Sequence, residues 1–394
     1  IMPSLVGSEM CIRDSIISSS HVANGTTRVM CTSALGGEVI GRAASICLSK
    51  GYKPIDLVDR DRIGLLQSLL VKNGNFIPGI AVAVEDNLAD SAEISVSSVL
   101  ELDDLPADGT WFGLDYPIAQ LIPVNGKVPV VRMNVKADNA TRLVMELRSS
   151  SKSENYTPDT IDAVLEFDLK KDENEIVADF SYSYATPRYA FICLMKNPEI
   201  SVPMSGRLVT GLTAVYNYIN PAVSNFGKQV PPEGIGVEEF EFWCPKRRPE
   251  SKNIAMSFAP SLTSFNSENL RNSYYRPYIG TNAWVAAFDD ARPEVCFKWN
   301  GRKQIKTIIL YFDTDTDQAM ETVQMGHFDA CVPTCYREYI IRNSEGKELY
   351  HITGNHQTLN VLELDQPVTT DAIYVNFVRP CGDVCPGLMG VYVC

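Results

Sequence analysis

The chain has 394 residues, of which 45% are hydrophobic and 21% are charged, a composition typical of a globular protein with about two or three domains. Its formal net charge of -13 repels phosphate backbones and anionic lipids, so we expect no nucleic-acid partner. No stretch approaches the roughly 20 apolar residues that a membrane helix needs. The four histidines, at positions 21, 327, 351 and 356, are too few for a multi-histidine centre, and we assign no metal ligands.

Residues 1–15 match no pattern of secondary structure. A secretion signal needs a positively charged start, an apolar stretch and a small-residue cleavage site, and these features are missing here. The stretch from Leu5 to Asp14 resembles a translated sequencing adapter. We therefore expect residues 1–15 to be a non-native tail and the natural protein to be longer at its N-terminus. The alternative is an ordinary disordered tail.

Residues 16–80 have the period of helices. Thr32 and Ser33 are suitable caps for a helix from Ala34 to Lys50, which Gly51 would end. A second helix is predicted from Asp59 to Lys72, ending at Asn73 and Gly74. Its apolar face would consist of Ile63, Leu66, Leu69 and Leu70.

From about residue 90 the hydrophobic period changes to two, which predicts strands. Apolar and polar residues alternate over Leu143–Leu147, Leu165–Leu169 and Ile176–Tyr184. Clusters of turn-forming residues, such as Pro123–Gly126 and Lys171–Asn174, separate these runs. The pattern predicts an antiparallel β-sandwich over residues 90–245.

The polar, proline-bounded segment Pro245–Lys252 predicts a domain boundary. Beyond it Ile308–Phe312 and Ile373–Phe377 again alternate, and Asn343–Gly346 predicts a hairpin turn. A second sandwich over residues 252–394 is the economical interpretation. The expected fold class is mainly β, with two antiparallel β-sandwich domains preceded by a helical segment.

The helical segment carries the most specific motif of the chain. Residues Ser19–Thr32 read SSHVANGTTRVMCT, and Gly36–Ala44 read GGEVIGRAA. This stretch resembles the end of the flavin domain in a family of bacterial FAD-dependent oxidoreductases, where a pattern like S-H-V-A-x-G-x-x-R-V-M-x-T precedes G-x-x-x-G-x-A-A. The resemblance covers about residues 18–78 and implies that residues 16–80 are the C-terminal remnant of an α/β FAD-binding domain.

The resemblance also implies roles for individual residues. A helix start near Ser33–Gly37 would offer free N–H groups and partial positive charge to the negative edge of a reduced flavin. His21 would act as a catalytic acid or base beside the flavin, or it is a packing histidine. The alternative for the small residues is a helix packed against a sheet. The implied cofactor-binding residues are Arg28, Met30, Thr32, Ser33, Gly36 and Gly37.

The other half of an FAD site is missing from the sequence. It needs a strand, a G-x-G-x-x-G turn and an acidic residue about 20 positions later, and nothing before Ser18 supplies them. We therefore expect FAD in the full-length protein, and we expect this chain alone to retain no flavin and to be inactive.

Three motifs near the C-terminus, Tyr275–Trp284, Phe297–Gly301 and Ile308–Asp315, resemble a discoidin-like (coagulation factor 5/8 type C) sandwich. Such a sandwich follows the flavin domain in the same oxidoreductases, and domains of this shape often bind sugars on their loops. Four aromatic residues would then stack on a pyranose: Trp284, Trp299, Tyr274 and Tyr275. The alternative, which we prefer for the two tryptophans, is that they fill the core.

Two further patterns leave alternatives open. Asp313, Asp315 and Asp317 alternate at a strand end, where they can hold calcium, but a solvated acidic turn is the preferred interpretation. The 11 cysteines include the C-x3-C pairs Cys331/Cys335 and Cys381/Cys385. Disulfides there would fit a periplasmic or secreted location, which we slightly favour, although buried thiols explain the cysteines equally well.

The leading hypothesis is the C-terminal part of an FAD-dependent oxidoreductase that transfers hydride to or from a small-molecule substrate. The neighbouring sugar-binding type of sandwich favours a carbohydrate-derived substrate by analogy. The alternative hypothesis is a non-catalytic carbohydrate- or surface-binding β-sandwich protein.

Overall fold

The structure is a computed structural model that describes residues 30–82, 86–151, 157–218, 241–246, 250–315, 335–380, 384–385 and 387–394. The chain divides into two compact units, residues 1–84 and residues 85–394. The first contains helices and the second contains antiparallel sheets, so the predicted mainly-β class is confirmed. In the described ranges, no helix is both long and apolar enough to cross a membrane.

The helical unit contains α1 (Met30–Lys50) and α2 (Arg60–Lys72). Gly51 ends α1 in the left-handed conformation (φ 69°), and the Tyr52 N–H donates to the Cys47 carbonyl, as expected for a helix end of this kind. The Asp59 side chain caps α2 by accepting from the Asp61 N–H. The helices share an apolar cluster that includes the predicted face of α2, and it contains Ile46, Cys47, Leu57, Leu66 and Leu70, with Ile63 and Leu69 packed against them.

The strands of the second unit are numbered in chain order. They are β1 (Glu93–Val96), β2 (Leu102–Leu105), β3 (Trp111–Leu114), β4 (Ile118–Val124), β5 (Val130–Ala137), β6 (Thr141–Ser149), β7 (Thr160–Leu169), β8 (Asp172–Ala178), β9 (Arg188–Leu194), β10 (Asn197–Ser205), β11 (Thr213–Tyr216), β12 (Asn253–Ile254), β13 (Met256–Leu262), β14 (Trp284–Val285), β15 (Glu294–Phe312), β16 (Tyr336–Asn343), β17 (Glu348–Thr353), β18 (Leu359–Pro380) and β19 (Gly387–Val393).

Two antiparallel sheets form the first sandwich. One has the strand order β11-β4-β9-β6-β7, and the other has the order β12-β10-β5-β13-β2, with β3 beside β10 and β8 beside β5. Alternation fixes which face of each strand is buried: Leu143, Met145 and Leu147 of β6 are fully buried, as the period of two predicted. Gln120 of β4 is buried among these apolar residues, and its side chain joins the sheets by donating to Asn253 Oδ1 and accepting from the Ile254 N–H.

The second sandwich has the strand order β14-β19-β15-β18-β16-β17, with β1 beside β15. The long strands β15 and β18 pair antiparallel over three stretches, which are separated by register shifts between Lys298 and Lys303 and between Ile305 and Thr307. Such irregularities let long strands bend. The predicted turn at Asn343–Gly346 joins β16 to β17, with the Asn343 N–H bonded to the Lys347 carbonyl.

Strand pairing crosses the domain boundaries that were predicted at residues 90–245 and 252–394. Strand β1 lies in the second sandwich, where Glu93 pairs with Lys298, and two tryptophan indoles bind this segment: Trp284 donates to the Ser98 carbonyl and Trp299 to the Leu88 carbonyl. Strand β13 returns to the first sandwich, where Phe258 pairs with Val131. Each sandwich is therefore completed by a strand from the other side of the predicted boundary.

The two sandwiches also touch directly. Thr210, in the loop between β10 and β11, donates to the Asp313 carboxylate after β15. Gly211 has φ 77°, and a Cβ there would lie 2.7 Å from the Tyr189 hydroxyl and 3.0 Å from Thr281 Cγ2. Only glycine fits this contact without strain. Residues 85–394 thus form one compact unit in which both sandwiches can contribute to one site.

Candidate functional site

The predicted flavin residues lie in or before α1. His21 and Arg28 are outside the described residues. Met30 is the first described residue of α1, and its side chain is not among those described. Thr32, Ser33, Gly36 and Gly37 all lie within α1, where Thr32 and Gly36 share one face and Ser33 and Gly37 share another.

The predicted helix start at Ala34, with Thr32 and Ser33 as caps, is wrong, because α1 is already helical at Met30. In a helix that runs through Met30, the N–H groups from Ala34 onward bond to carbonyls four residues earlier. The resemblance implied free N–H groups at Ser33–Gly37, but the N–H groups from Ala34 onward are bonded within the helix. A Cβ added at Gly36, Gly37 or Gly41 would meet no described atom within 4 Å, so no close neighbour explains these glycines. FAD binding by a longer protein stays a prediction.

The four aromatic residues considered for sugar stacking separate into two groups. Trp284 and Trp299 belong to the core of the second sandwich, so the preferred interpretation of the two tryptophans is confirmed. Tyr275 is also buried, and its ring stacks on Tyr311 with centroids 4.8 Å apart. Burial raises the pKa of Tyr275 far above its ordinary value. Tyr274 alone of the four lines an open cleft.

This Tyr274 cleft has a volume of about 340 Å³, within the range of small-ligand sites. One wall comes from the second sandwich, where the loop of residues 263–282 contributes Tyr274, Tyr278 and Asn266. The other wall comes from the first sandwich, where the β4–β5 turn contributes Asn125 and the start of β9 contributes Arg188.

Local hydrogen bonds hold the loop that carries Tyr274. The Tyr274 N–H donates to Asn272 Oδ1, and Asn272 Nδ2 donates to Asn282 Oδ1 at 2.8 Å. Asn282 Nδ2 in turn donates to the carbonyls of Arg276 and Tyr278. Ser273, Ile279 and Asn282 all have positive φ angles, a conformation that persists only where surrounding contacts impose it. The backbone at Tyr274 is therefore held in place, and its ring lies 5.2 Å from the ring of Tyr278.

The polar groups of the cleft can both donate and accept hydrogen bonds. Asn266 is exposed and makes no capping hydrogen bond to the short helix that follows it. Asn125 is exposed at the turn. Arg188 is held by a 2.6 Å hydrogen bond from Nη2 to the Ser150 carbonyl, and its buried Nε has no hydrogen-bond partner among the described residues. An amphipathic ring, amides and a guanidinium therefore face one open volume.

Sequence reasoning found Tyr274 but missed Asn125 and Arg188. Asn125 was identified only as part of a turn, and Arg188 lies far from Tyr274 in sequence. The only signal for Asn125 was the proline-to-glycine turn Pro123–Gly126, which places its side chain at a sheet end.

Asp313 and Asp315 lie in a different, smaller cavity of about 250 Å³ between the sandwiches, together with Trp243 and Arg276. Both aspartates are buried, so the solvated acidic turn preferred from the sequence is wrong for these two. Asp313 accepts from the Thr210 hydroxyl and from the Asp315 N–H, which assigns it to the contact between sandwiches. Asp317 lies outside the described residues, as do Cys331 and Cys381. Cys47, Cys193 and Cys296 are buried thiols.

No protein-family model matches the sequence. No curated protein matches it either. Among solved structures, similar folds include a family 32 carbohydrate-binding module from Streptococcus pneumoniae EndoD, with 12% identity and a TM-score of 0.26 over 33% of this chain and 86% of that one.

Two others are a family 32 module of C. perfringens NanJ in complex with galactose (10% identity, TM-score 0.25, 33% of this chain and 85% of that one) and a chitosan-binding module from Paenibacillus sp. IK-5 (12% identity, TM-score 0.25, 33% and 86%). Similarities this low carry no argument about what the present chain binds.

Proposed function

We propose that this protein is a carbohydrate-binding β-sandwich protein and that its glycan site is the Tyr274 cleft. The observation that carries the proposal is the placement of one partly exposed tyrosine ring, on a loop held by local hydrogen bonds, beside amide and guanidinium groups in an open cleft of about 340 Å³. The proposal takes up the second of the two hypotheses drawn from the sequence. Flavin chemistry in a longer protein stays a prediction of the family resemblance.

A pyranose has an apolar C–H face and a rim of hydroxyl groups. Tyr274 offers a flat apolar surface for that face, and its two side-chain torsions cost little entropy to hold. The hydrogen bonds around Asn272 and Asn282 hold the backbone at Tyr274 before any ligand arrives, and the ring packs beside that of Tyr278. Preorganisation of this kind increases affinity because less freedom is lost on binding.

The hydroxyl rim needs partners that donate and accept. The amides of Asn125 and Asn266 do both, and Arg188 donates. Asn125, Asn266 and Arg188 contain no carboxylate, which favours a neutral sugar over a positively charged amino sugar. Because these groups come from both sandwiches, we propose that a fragment with the second sandwich alone binds more weakly than the full chain. We also propose that the protein lies outside the cytoplasm, where it encounters free glycans.

The test is an array of neutral glycans probed with the full chain and with Tyr274→Ala. The matched control is Tyr218→Ala, which removes an exposed tyrosine that does not line this cleft. We expect the wild type and the control to bind the same glycans, and Tyr274→Ala to lose them while its melting temperature stays close to that of the wild type. An array on which the wild type binds nothing, or on which Tyr274→Ala binds as well as the wild type, contradicts the proposal.

A further inference from the structure

Trp111 is the exposed member of the four tryptophans. It keeps 38% of its surface accessible, whereas Trp284, Trp299 and Trp243 keep 0%, 3% and 8%. An indole is the largest apolar side chain, and most tryptophans are largely buried. Trp111 lies on β3 of the first sandwich, opposite Pro203 of β10. Trp111 is far from Tyr274 in the sequence. The residues that line the pocket at Trp111 are all different from those that line the Tyr274 cleft.

Trp111 lines a groove of about 450 Å³ on the outward face of this sheet. The register explains why a groove forms there. On one side β5 pairs with β13 at Val130–Arg132 and with β10 at Lys136–Ala137. The intervening Met133 and Asn134 line the groove, where the two neighbouring strands part.

Charged side chains line the groove around the indole. The outward-facing Arg132 of β5 pairs with Ser257 of β13, and Ser257 pairs with Asp104 of β2. Across the sheet, Asn134 pairs with Glu175, and Lys136 pairs with Glu173. Lys136 connects these groups to the indole, because its Nζ lies 4.0 Å from the centroid of the Trp111 ring and 3.3 Å from Glu173 Oε1.

The contact with Lys136 has a structural consequence. A cation over the ring is attracted by its π electrons, and this fixes the indole orientation. An indole has two faces and Lys136 covers one, while more than a third of the residue stays accessible. The remaining surface is available as a rigid apolar platform. Around it the groove offers the acceptors Asp104 and Glu175 and the donor Arg132, with the Asn134 amide between them.

We propose that this Trp111 groove binds a neutral polysaccharide chain and is a second glycan site on the same protein. The flat face of one sugar stacks on Trp111, and hydroxyl groups of the chain donate to Asp104 and Glu175 and accept from Arg132. The presence of both charge signs favours a hydroxyl-rich neutral ligand over a polyanion, which the carboxylates repel. Burial raises the pKa of Asp104, as expected for a carboxyl group in a recessed wall.

The tryptophan distribution provides a direct readout. Acrylamide quenches accessible indoles, so in this chain it reports mainly on Trp111. We would titrate the full chain with soluble xylan, laminarin, galactomannan and galactan and measure quenching and affinity. At least one polysaccharide is expected to protect Trp111, and Trp111→Ala is expected to lower the affinity for it by about tenfold or more, the usual effect of removing an aromatic anchor. Trp111→Phe keeps a platform and is expected to retain most of the affinity.

Matched variants separate this site from the Tyr274 cleft. Glu175→Gln removes the charge and replaces one acceptor oxygen of the groove with an amide donor, and Glu166→Gln makes the same change on β7, outside the groove. We expect Glu175→Gln to weaken polysaccharide binding, and Glu166→Gln and Tyr274→Ala to leave it unchanged. The inference is overturned when no polysaccharide protects Trp111 in the wild type, or when the affinity for the polysaccharide is lost in Tyr274→Ala but kept in Trp111→Ala. The first result leaves the Tyr274 cleft to be judged by its own array, so the two proposals fail separately.

Discussion

The Thr210 hydroxyl donates a 2.7 Å hydrogen bond to the Asp313 carboxylate, and this bond joins the first sandwich to the second. Both side chains are buried, so water cannot replace either partner at low cost. Near this contact, Leu208 forms an isolated parallel bridge with Val384. The relative position of the two sandwiches therefore depends on specific polar contacts, and the Tyr274 cleft, whose walls come from both, depends on that position.

Replacing Thr210 with valine preserves the shape of the side chain but removes its donor. We expect Thr210→Val to lower the free energy of unfolding by about 1–3 kcal/mol, because a buried carboxylate oxygen loses a hydrogen bond. Glycan affinity at the Tyr274 cleft should fall as well, since the two walls are less firmly held. Urea unfolding and glycan titration measure both effects. Thr353→Val is the control, since Thr353 is exposed at the end of β17; equal unfolding curves for the two variants would refute the role of Thr210.

A charge cluster around the buried Arg148 holds the segment at residues 241–246. The Glu241 carboxylate accepts from Arg148 Nη1 at 3.1 Å, from the Trp243 indole at 2.9 Å and from the Asn217 amide at 3.2 Å. We expect Glu241→Gln to cost about 1–3 kcal/mol in denaturant unfolding, because the buried Arg148 then keeps Glu146 as its one charged partner among the described residues.

The control for this cluster is Glu166→Gln, which breaks the exposed ion pair with Arg142. Exposed pairs contribute about 0–1 kcal/mol. If Glu166→Gln lowered the free energy of unfolding as much as Glu241→Gln, the proposed role of burial in the Glu241 cluster would be contradicted.

Two asparagines of the Tyr274 cleft should behave oppositely. Asn266 is exposed without a capping bond, whereas Asn269 Nδ2 donates to the carbonyls of Ser264 and Ala283, each at 2.8 Å. We expect Asn266→Ala to weaken glycan binding by about fivefold, which corresponds to one hydrogen bond of about 1 kcal/mol, with no change in melting temperature. Asn269→Ala should lower the melting temperature. Thermal melts and glycan titrations of both variants measure these effects. A lower melting temperature for Asn266→Ala would contradict a binding role for Asn266.

The helical unit has a predictable response to acid. Hydrogen bonds from Arg42 and Asn75 hold the pKa of Glu38 below its ordinary value of 4.5. A carboxyl group with a lowered pKa in the folded state stabilises that state above pH 4.5, and the stabilisation is lost as the pH falls through the lowered pKa. NMR titration of the Glu38 carboxyl should show a midpoint below 4.5, and Arg42→Ala should raise it. A midpoint at or above 4.5 in the wild type would contradict the contact.

Much of the local structure could be predicted because its causes are local. The period of two in β6 reflects burial of alternate residues, and the turn at Asn343–Gly346 reflects a short asparagine- and glycine-containing connection. The pairing of β1 with β15 and of β13 with β5 could not be predicted, because residues such as Glu93 and Lys298 meet only through the tertiary fold.

The candidate site shows the same division. Trp284 and Trp299 could be assigned to the core because large aromatic side chains dominate protein cores, and Tyr274 could be nominated from its neighbours in sequence. Arg188 and Asn125 could not be, since the first sandwich brings them to Tyr274 from distant strands. The start of α1 was misplaced because serine and threonine favour helix caps but are also accommodated within a first turn.

The most direct test of the account is saturation-transfer difference NMR with the strongest-binding glycan from the array. Tyrosine stacking predicts that, in the wild type, the C–H protons of one pyranose face receive the most saturation, and that Tyr274→Ala abolishes this pattern while Tyr218→Ala retains it. A pattern spread evenly over the sugar, or one that persists in Tyr274→Ala, would contradict glycan binding at the Tyr274 cleft.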